Sequence, residues 1–195
     1  MEQVRNFERQ LADFYSAPYA VATDSCTHAI ELCLRMKPPQ EQVLIPARTY
    51  ISVPFTLIKL GLKWKFIDQK WQDFYPLINT NIIDAAVHFQ KGGYVANSLM
   101  CLSFQYKKTL SLGRGGAILC ASKNDYDVLK KMSYDGRSDD TPWRKQDIST
   151  MGYHYYMTPE TAALGSKKLQ SAIRKERQGS ENYPYLPDMK IFNLK

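Results

Sequence analysis

The alternation of apolar and polar positions cuts the chain into short segments of two periods. Val4, Phe7, Leu11 and Phe14 recur three and four residues apart, which predicts an amphipathic helix over 2–16, ending before Pro18. Such a stripe is ordinarily core, or it packs on a partner subunit. An apolar run of strand length, 19–23, precedes a helix over 28–36 whose inner positions are Ala29, Ile30, Leu32 and Cys33. Residues 43–45 predict a strand closed by Pro46, and a helix over 49–60 has Pro54 in its first turn and Gly61 as its cap. The alternation over 63–68 predicts another strand. The runs 99–104 and 117–120 are apolar throughout, as buried strands are. A helix over 123–134 turns Tyr126, Leu129 and Met132 inward, and Thr158-Pro159-Glu160 starts a helix to about 177. The remainder, 178–195, is rich in Tyr, Pro and Asn and reads as an extended arm on a main domain of 1–177. Strands alternating with helices predict an α/β fold with helices on both sheet faces.

Composition narrows the class. At 195 residues, 44% hydrophobic and 12% aromatic, the chain suits one globular domain. No apolar run approaches the roughly 18 residues of a membrane span. The N-terminus MEQVRNFERQ has no apolar signal core, so a cytoplasmic protein without a membrane partner is expected. Cys26, Cys33, Cys101 and Cys120 show no metal-ligand spacing and read as reduced thiols. A net charge of +7 permits nucleic acid, yet the charges are scattered and no recognition motif accompanies them. The densest basic cluster, 167–177, reads as a solvated helix face.

Three places carry candidate chemistry. Between the buried runs 99–104 and 117–120 stand Lys107-Lys108 and then Gly113, Gly115 and Gly116. A lysine held against core strands has its charged form disfavoured and becomes a better amine nucleophile; a solvated basic loop between hairpin strands is the alternative. Strand 19–23 runs into Asp24-Ser25-Cys26-Thr27 and a helix, where free N–H groups and the helix dipole suit a phosphate. A plain N-cap by Asp24 or Ser25 would give the same letters. Asp84 closes the apolar segment Ile82-Ile83, either as an acid facing a site or as the cap of a turn.

Read letter by letter, Ser103-Phe104, then Lys108, then Gly113-x-Gly115-Gly116 resembles the cofactor-lysine segment of the DegT/DnrJ/EryC1/StrS family of sugar aminotransferases. Ser25-Cys26-Thr27-His28-Ala29-Ile30 resembles that family's Ser-Gly-Thr-x-Ala-Leu, with Cys26 for Gly. Thr49-Tyr50-Ile51-Ser52, Asp84-Ala85-Ala86, Asp135-Gly136-Arg137-Ser138 and Gly152-Tyr153-His154-Tyr155-Tyr156-Met157 follow in the family's order. Departures are Ile83 and Val87 beside the acid, Arg114 for Glu, and His154 and Tyr156 for Asn and Arg. Only the connection 69–81 stands where relatives spend two strand–helix units, and their small C-terminal domain has no counterpart here.

The resemblance implies a pyridoxal 5'-phosphate (PLP) enzyme of fold type I, a three-layer α/β/α large domain with a mostly parallel sheet. It implies Lys108 as the internal aldimine and the acid–base at Cα, Asp84 against the pyridine nitrogen, and Tyr50 stacked on the ring. Ser25, Cys26, Thr27 and Ser103 fall at the phosphate, and His154 reaches phosphate across a subunit boundary. No metal is implied. The expected reaction moves an amino group from a donor such as glutamate to a carbonyl acceptor, a nucleotide-sugar ketone or small keto compound, in a homodimer. The family's dehydratases carry His in place of the lysine, against Lys108. A non-catalytic PLP-binding relic is the other reading left open.

Overall fold

The computed structural model describes residues 1–173 and 176–193. Its elements, in chain order, are α1 (Glu2–Tyr15), β1 (Tyr19–Thr23), α2 (Cys26–Met36), β2 (Val43–Pro46), α3 (Ser52–Lys59), β3 (Trp64–Ile67), β4 (Tyr75–Pro76), β5 (Ile82–Asp84), β6 (Leu99–Ser103), β7 (Gly116–Cys120), α4 (Lys123–Ser133) and α5 (Pro159–Leu169). Five strands form one sheet in the order β1-β7-β6-β5-β4, and β2 and β3 form a separate parallel pair. The layering is α/β/α as expected, but the sheet is mixed rather than mostly parallel. Only β5 and β6 pair in parallel within it; β1/β7, β7/β6 and β4/β5 are antiparallel. For β4/β5 and β6/β7 the connection decides this, because consecutive strands joined without a crossover run antiparallel, whereas parallel ones need one; β1 joins β7 from far away in sequence.

Successive side chains of a strand point to opposite faces, so the unbroken apolar runs feed two cores. Met100, Leu102, Ala117 and Leu119 pack with α1 and α5. Leu99, Cys101, Ile118 and Cys120 pack with α2, with Val53 and Leu57 of α3, and with Leu129 and Met132 of α4.

The stripe of α1 finds its partner within the chain. Val4, Phe7 and Leu11 are at most 1% exposed, and Gly165 of α5 leaves room for the Phe7 ring, which a Cβ there would approach to 2.5 Å. The stripe is therefore core, and it supplies no argument for a second subunit. Thr158 accepts from the Thr161 N–H at the start of α5. That helix stops at Leu169 instead of running to about 177. Leu169 is its last buried residue while Ile173 is 86% exposed, and a helix with no apolar face to bury has little to hold it. The basic cluster 167–177 extends partly outside the described residues.

The tail also differs from the expected arm. Residues 178–193 lie against the body with three 3-10 turns, Ser180–Asn182, Leu186–Asp188 and Lys190–Phe192. Leu186 is buried and its N–H donates to Ala47 O at 2.9 Å. Phe192 packs on Phe55, Trp64 and Phe66. The tail is tied to the connection before β4: Asp73 N–H donates to Gln178 O at 2.8 Å, Ser180 N–H to Trp71 O at 3.0 Å, and Arg177 pairs with Asp73 at 2.7 Å. No helix of the described residues is long and apolar enough to cross a membrane.

Candidate active site

The strand registers bring four chain segments to one end of the sheet. Thr23 and Ser103 both pair with Gly116, and Asp84 pairs with Cys101 two residues before the end of β6. The carboxyl ends of β1, β5 and β6 thus meet the start of β7, the edge at which open α/β sheets bind ligands. A cavity of about 410 Å³ opens there, lined by Ser25, Cys26, Thr27, Tyr50, Asp84, Ser103 and Lys108 among others. That volume is in the ordinary range for a small-molecule site. Seven of the eight residues singled out from the sequence share it. The eighth, His154, stands apart, exposed, with Nδ1 3.0 Å from the Asp135 carboxylate.

One wall is the N-terminus of α2. The first-turn N–H groups of a helix have no intrahelical acceptor. Ser25 is the N-cap and its Oγ accepts only the His28 N–H, at 3.2 Å, so the Cys26 and Thr27 N–H groups and the positive helix end face the cavity region. Thr27 Oγ1 donates to Ser52 Oγ at 2.8 Å, which holds two hydroxyls together. The approach depends on Gly116: a Cβ there would fall 2.4 Å from the Ser25 carbonyl carbon and 2.5 Å from Cys26 N. Gly116→Ala is expected to push α2 off the sheet, lowering Tm by about 2–12 °C and weakening phosphate binding; thermal melting with and without inorganic phosphate checks both. Cys26, where the sequence pattern calls for Gly, turns its buried Sγ toward Cys101 O at 3.5 Å.

Asp24 would repel an anion at this wall, but its charge is matched. Its Oδ1 lies 2.7 Å from His28 Nδ1 and its Oδ2 2.7 Å from Arg114 Nη2. Burial favours the protonated acid, yet His28 and Arg114 outweigh it and hold the Asp24 carboxyl below its ordinary range. Arg114, the reversed charge in the glycine segment, therefore neutralises Asp24 at the cavity rim. His28 is braced from behind by the Tyr155 ring, stacked at 3.6 Å between centroids.

Lys108 sits on a loop pinned between β6 and β7. Phe104 N–H donates to Gly115 O (2.9 Å), Tyr106 N–H to Gly113 O (3.0 Å) and Lys108 N–H to Gln105 O (2.8 Å). Gly113 adopts φ 81°, which a side chain would resist. Buried Leu110 and Leu112 draw the loop onto the sheet, leaving Lys107 exposed and Lys108 half-buried in the cavity wall. Burial pushes the Lys108 ammonium down from its ordinary pKa, against the pull of Cys26 and Asp84.

Asp84 is 5% exposed. Its Oδ1 accepts the Ala86 N–H at 3.0 Å and its Oδ2 the Tyr75 hydroxyl at 2.7 Å. Burial pushes its carboxyl up, and Tyr75, the Ala86 N–H and Lys108 pull it back. Tyr50 precedes α3, whose first turn starts three residues later than the letters suggested, and its ring is 51% exposed. His88, by contrast, is structural: its Nε2 lies 3.1 Å from Gly93 O.

The site thus offers an anion-binding helix end, an open aromatic face, a buried carboxylate and an amine of lowered pKa. Sequence reading missed Tyr75, Ser52 and Gln105, which line or support this space. Ser52 had a signal in its place one turn after Thr49; Tyr75 had none, because its strand is two residues long.

The model of the DegT/DnrJ/EryC1/StrS aminotransferase family matches residues 1–93 and 82–188. The chain is 37% identical over 62 residues to 3-amino-5-hydroxybenzoate synthase of Amycolatopsis mediterranei (strain S699), covering 31% of this chain and 16% of that protein. It is 37% identical over 68 residues to the spore coat polysaccharide biosynthesis protein SpsC of Bacillus subtilis (strain 168), covering 34% and 18%. Its fold matches the crystal structure of AtS13 from Actinomadura melliaura with a TM-score of 0.77 at 19% identity, over 88% of this chain and 60% of that one. The chain therefore spans less than two thirds of the length of these relatives.

Proposed function

Since the chain belongs to the DegT/DnrJ/EryC1/StrS aminotransferase family, we propose that it binds PLP and moves an amino group from an amino-acid donor such as glutamate to a carbonyl acceptor. A nucleotide-sugar ketone or a small keto compound is the acceptor class. One observation carries the reading: Lys108 and Asp84 line a single cavity walled by the N-terminus of α2.

The residues fit the cofactor. The Cys26 and Thr27 N–H groups, with the hydroxyls of Ser25, Thr27 and Ser103, would hold the phosphate. Asp84 is buried and bonded on both oxygens, and each oxygen keeps a second lone pair for a cationic ring N–H. Tyr50 presents its face to a planar ring. When bound, PLP supplies an electron sink for negative charge developing at the donor Cα.

The chain's own groups do the rest. Asp84 would keep a proton on the ring nitrogen of the bound cofactor by placing a negative charge beside it. Lys108 is the amine that would hold the cofactor covalently. With the donor bound, the freed Lys108 amine would be the group that takes the proton from Cα and hands it to the cofactor, so that the nitrogen stays behind when the keto acid leaves. A base works best with its pKa near the working pH, and the burial that lowers the Lys108 pKa moves it that way. Tyr50 keeps water off one face of the reacting group. Donor and acceptor then react in turn at one site, with ping-pong kinetics.

The proposed assembly is a homodimer. Its support is the exposure of His154, the residue placed by resemblance across a subunit boundary, and no longer the α1 stripe. The four buried free thiols support a reducing, cytoplasmic setting. Purified protein supplied with PLP should absorb in the visible. Glutamate should fade that band with release of one equivalent of the keto acid, and a carbonyl acceptor should restore it. Absence of a protein-bound visible band at saturating PLP would overturn the reading.

A further inference from the structure

We infer that Tyr75 is a positioning residue that keeps Asp84 ionised and aimed into the cavity, acting from the short connection 69–81. The inference rests on the cofactor reading only for what Asp84 serves; the interaction itself stands on geometry.

Tyr75 lies directly opposite Asp84 in the β4/β5 ladder and is 2% exposed. Its hydroxyl is 2.7 Å from Asp84 Oδ2 and within hydrogen-bond reach of the buried Thr49 hydroxyl. An ionised carboxylate can only accept, so Tyr75 donates to Asp84 and Thr49 donates to Tyr75. Protonating Asp84 on that oxygen would force this chain of donors to reverse. Donation to a charged acceptor is about twice as strong as to a neutral one, so the arrangement selects the anion. It opposes the burial that favours the neutral acid. The other ionisable groups facing Asp84 are Lys108 from the β6–β7 loop, the thiols of Cys26 and Cys101, and the Tyr183 phenol of the tail. Of these only Lys108 can bring opposite charge.

Tyr75 is itself held from outside the sheet. The Trp71 ring packs on it at 4.9 Å between centroids, the Trp71 indole N–H donates to Arg48 O at 2.8 Å, and Trp71 O accepts the Ser180 N–H of the tail. The connection and tail thus serve as the backing of the acid.

The test is Tyr75→Phe, which removes one oxygen, read first without cofactor. In protein labelled with 13C at aspartate carboxyls, the Asp84 resonance should titrate about one pH unit higher than in wild type. In holoenzyme the variant should bind PLP about tenfold more weakly. The pH at which the bound cofactor changes colour should move, and kcat should fall while the donor KM holds. Thr49→Val should shift Asp84 in the same direction by less, and it substitutes as the test if Tyr75→Phe does not fold. An unmoved Asp84 titration in a folded variant overturns the inference even if PLP binds. A wild type that takes up no PLP, with the Asp84 shift present, overturns the cofactor reading and leaves the positioning role standing.

Discussion

Replacing Lys108 with alanine should reduce amino transfer by about 10²–10⁴-fold, the usual contribution of a positioned acid–base, and should end covalent retention of the cofactor. Borohydride reduction followed by peptide mapping should label Lys108 alone in the wild type. Lys107→Ala should keep both label and turnover, because Lys107 points to solvent while Lys108 lines the cavity. Label on Lys107, or on no lysine, would overturn the alignment of the site. The fold should survive, since the change removes an amine whose charged form burial disfavours. The sign follows from linkage. A lysine whose folded pKa is lowered costs stability below that pKa, and the cost vanishes as pH rises past the ordinary lysine value of about 10.4. Apo Lys108→Ala should therefore gain on wild type at neutral pH and lose that gain in alkali, which melting curves across pH would read.

Asp84→Asn should cut turnover by a comparable factor and loosen PLP, because a neutral amide cannot hold a positive charge on the ring nitrogen. Asn can keep its one oxygen on the Ala86 N–H and turn its amide N–H to the Tyr75 hydroxyl, which would then accept from it and donate to Thr49, so the local geometry has what it needs to persist. Here linkage runs the other way. The folded Asp84 pKa is raised, so ionising it costs stability above that pKa, and the cost disappears as pH falls below about 3.9. Apo Asp84→Asn should be at least as stable as wild type at pH 7, with the difference closing in acid. Near-normal turnover in this variant would show that the acid only caps a turn. Together the two variants describe a site whose charges are kept at a cost to the fold.

Much of that site was legible because its residues stand on short, strongly marked segments. Lys108 follows one buried run and precedes another, and Ser25 to Thr27 occupy a strand–helix junction, so local pattern marked them as candidates, and the family resemblance chose a site over a solvated loop and a plain N-cap. The same reasoning misplaced what depends on distant packing. The α1 stripe was readable as a stripe, but its partner is Gly165, whose absence of a side chain carries no periodicity. The end of α5 was overestimated because Lys, Arg and Gln are good helix formers. What stops the helix is the lack of anything to bury after Leu169. Tyr75 acquires its role from a two-residue ladder across a turn, and the tail from contacts of Leu186 and Phe192 with residues far away in sequence. Composition alone made both look like loose, aromatic-rich coil.

The two outer margins of the five-stranded sheet are covered differently, one by chain that comes late in the sequence and the other partly by β2. On the β1 side, Thr23 bridges Tyr156, and the Asp24 N–H donates to Tyr155 O at 2.8 Å. On the β4 side, Pro76 removes one donor, Ile78 just past β4 bridges Leu44 of β2, and Gln72 before it bridges Gly179. Unpaired strand margins are templates for pairing with other molecules. During synthesis the strands of the sheet are all made by Cys120, yet the chain that covers the end of β1 comes only with residues 155–156. Until then that border of β1 has no partner strand to pair with. The segment that covers it also carries Tyr155, which braces His28 in the finished molecule.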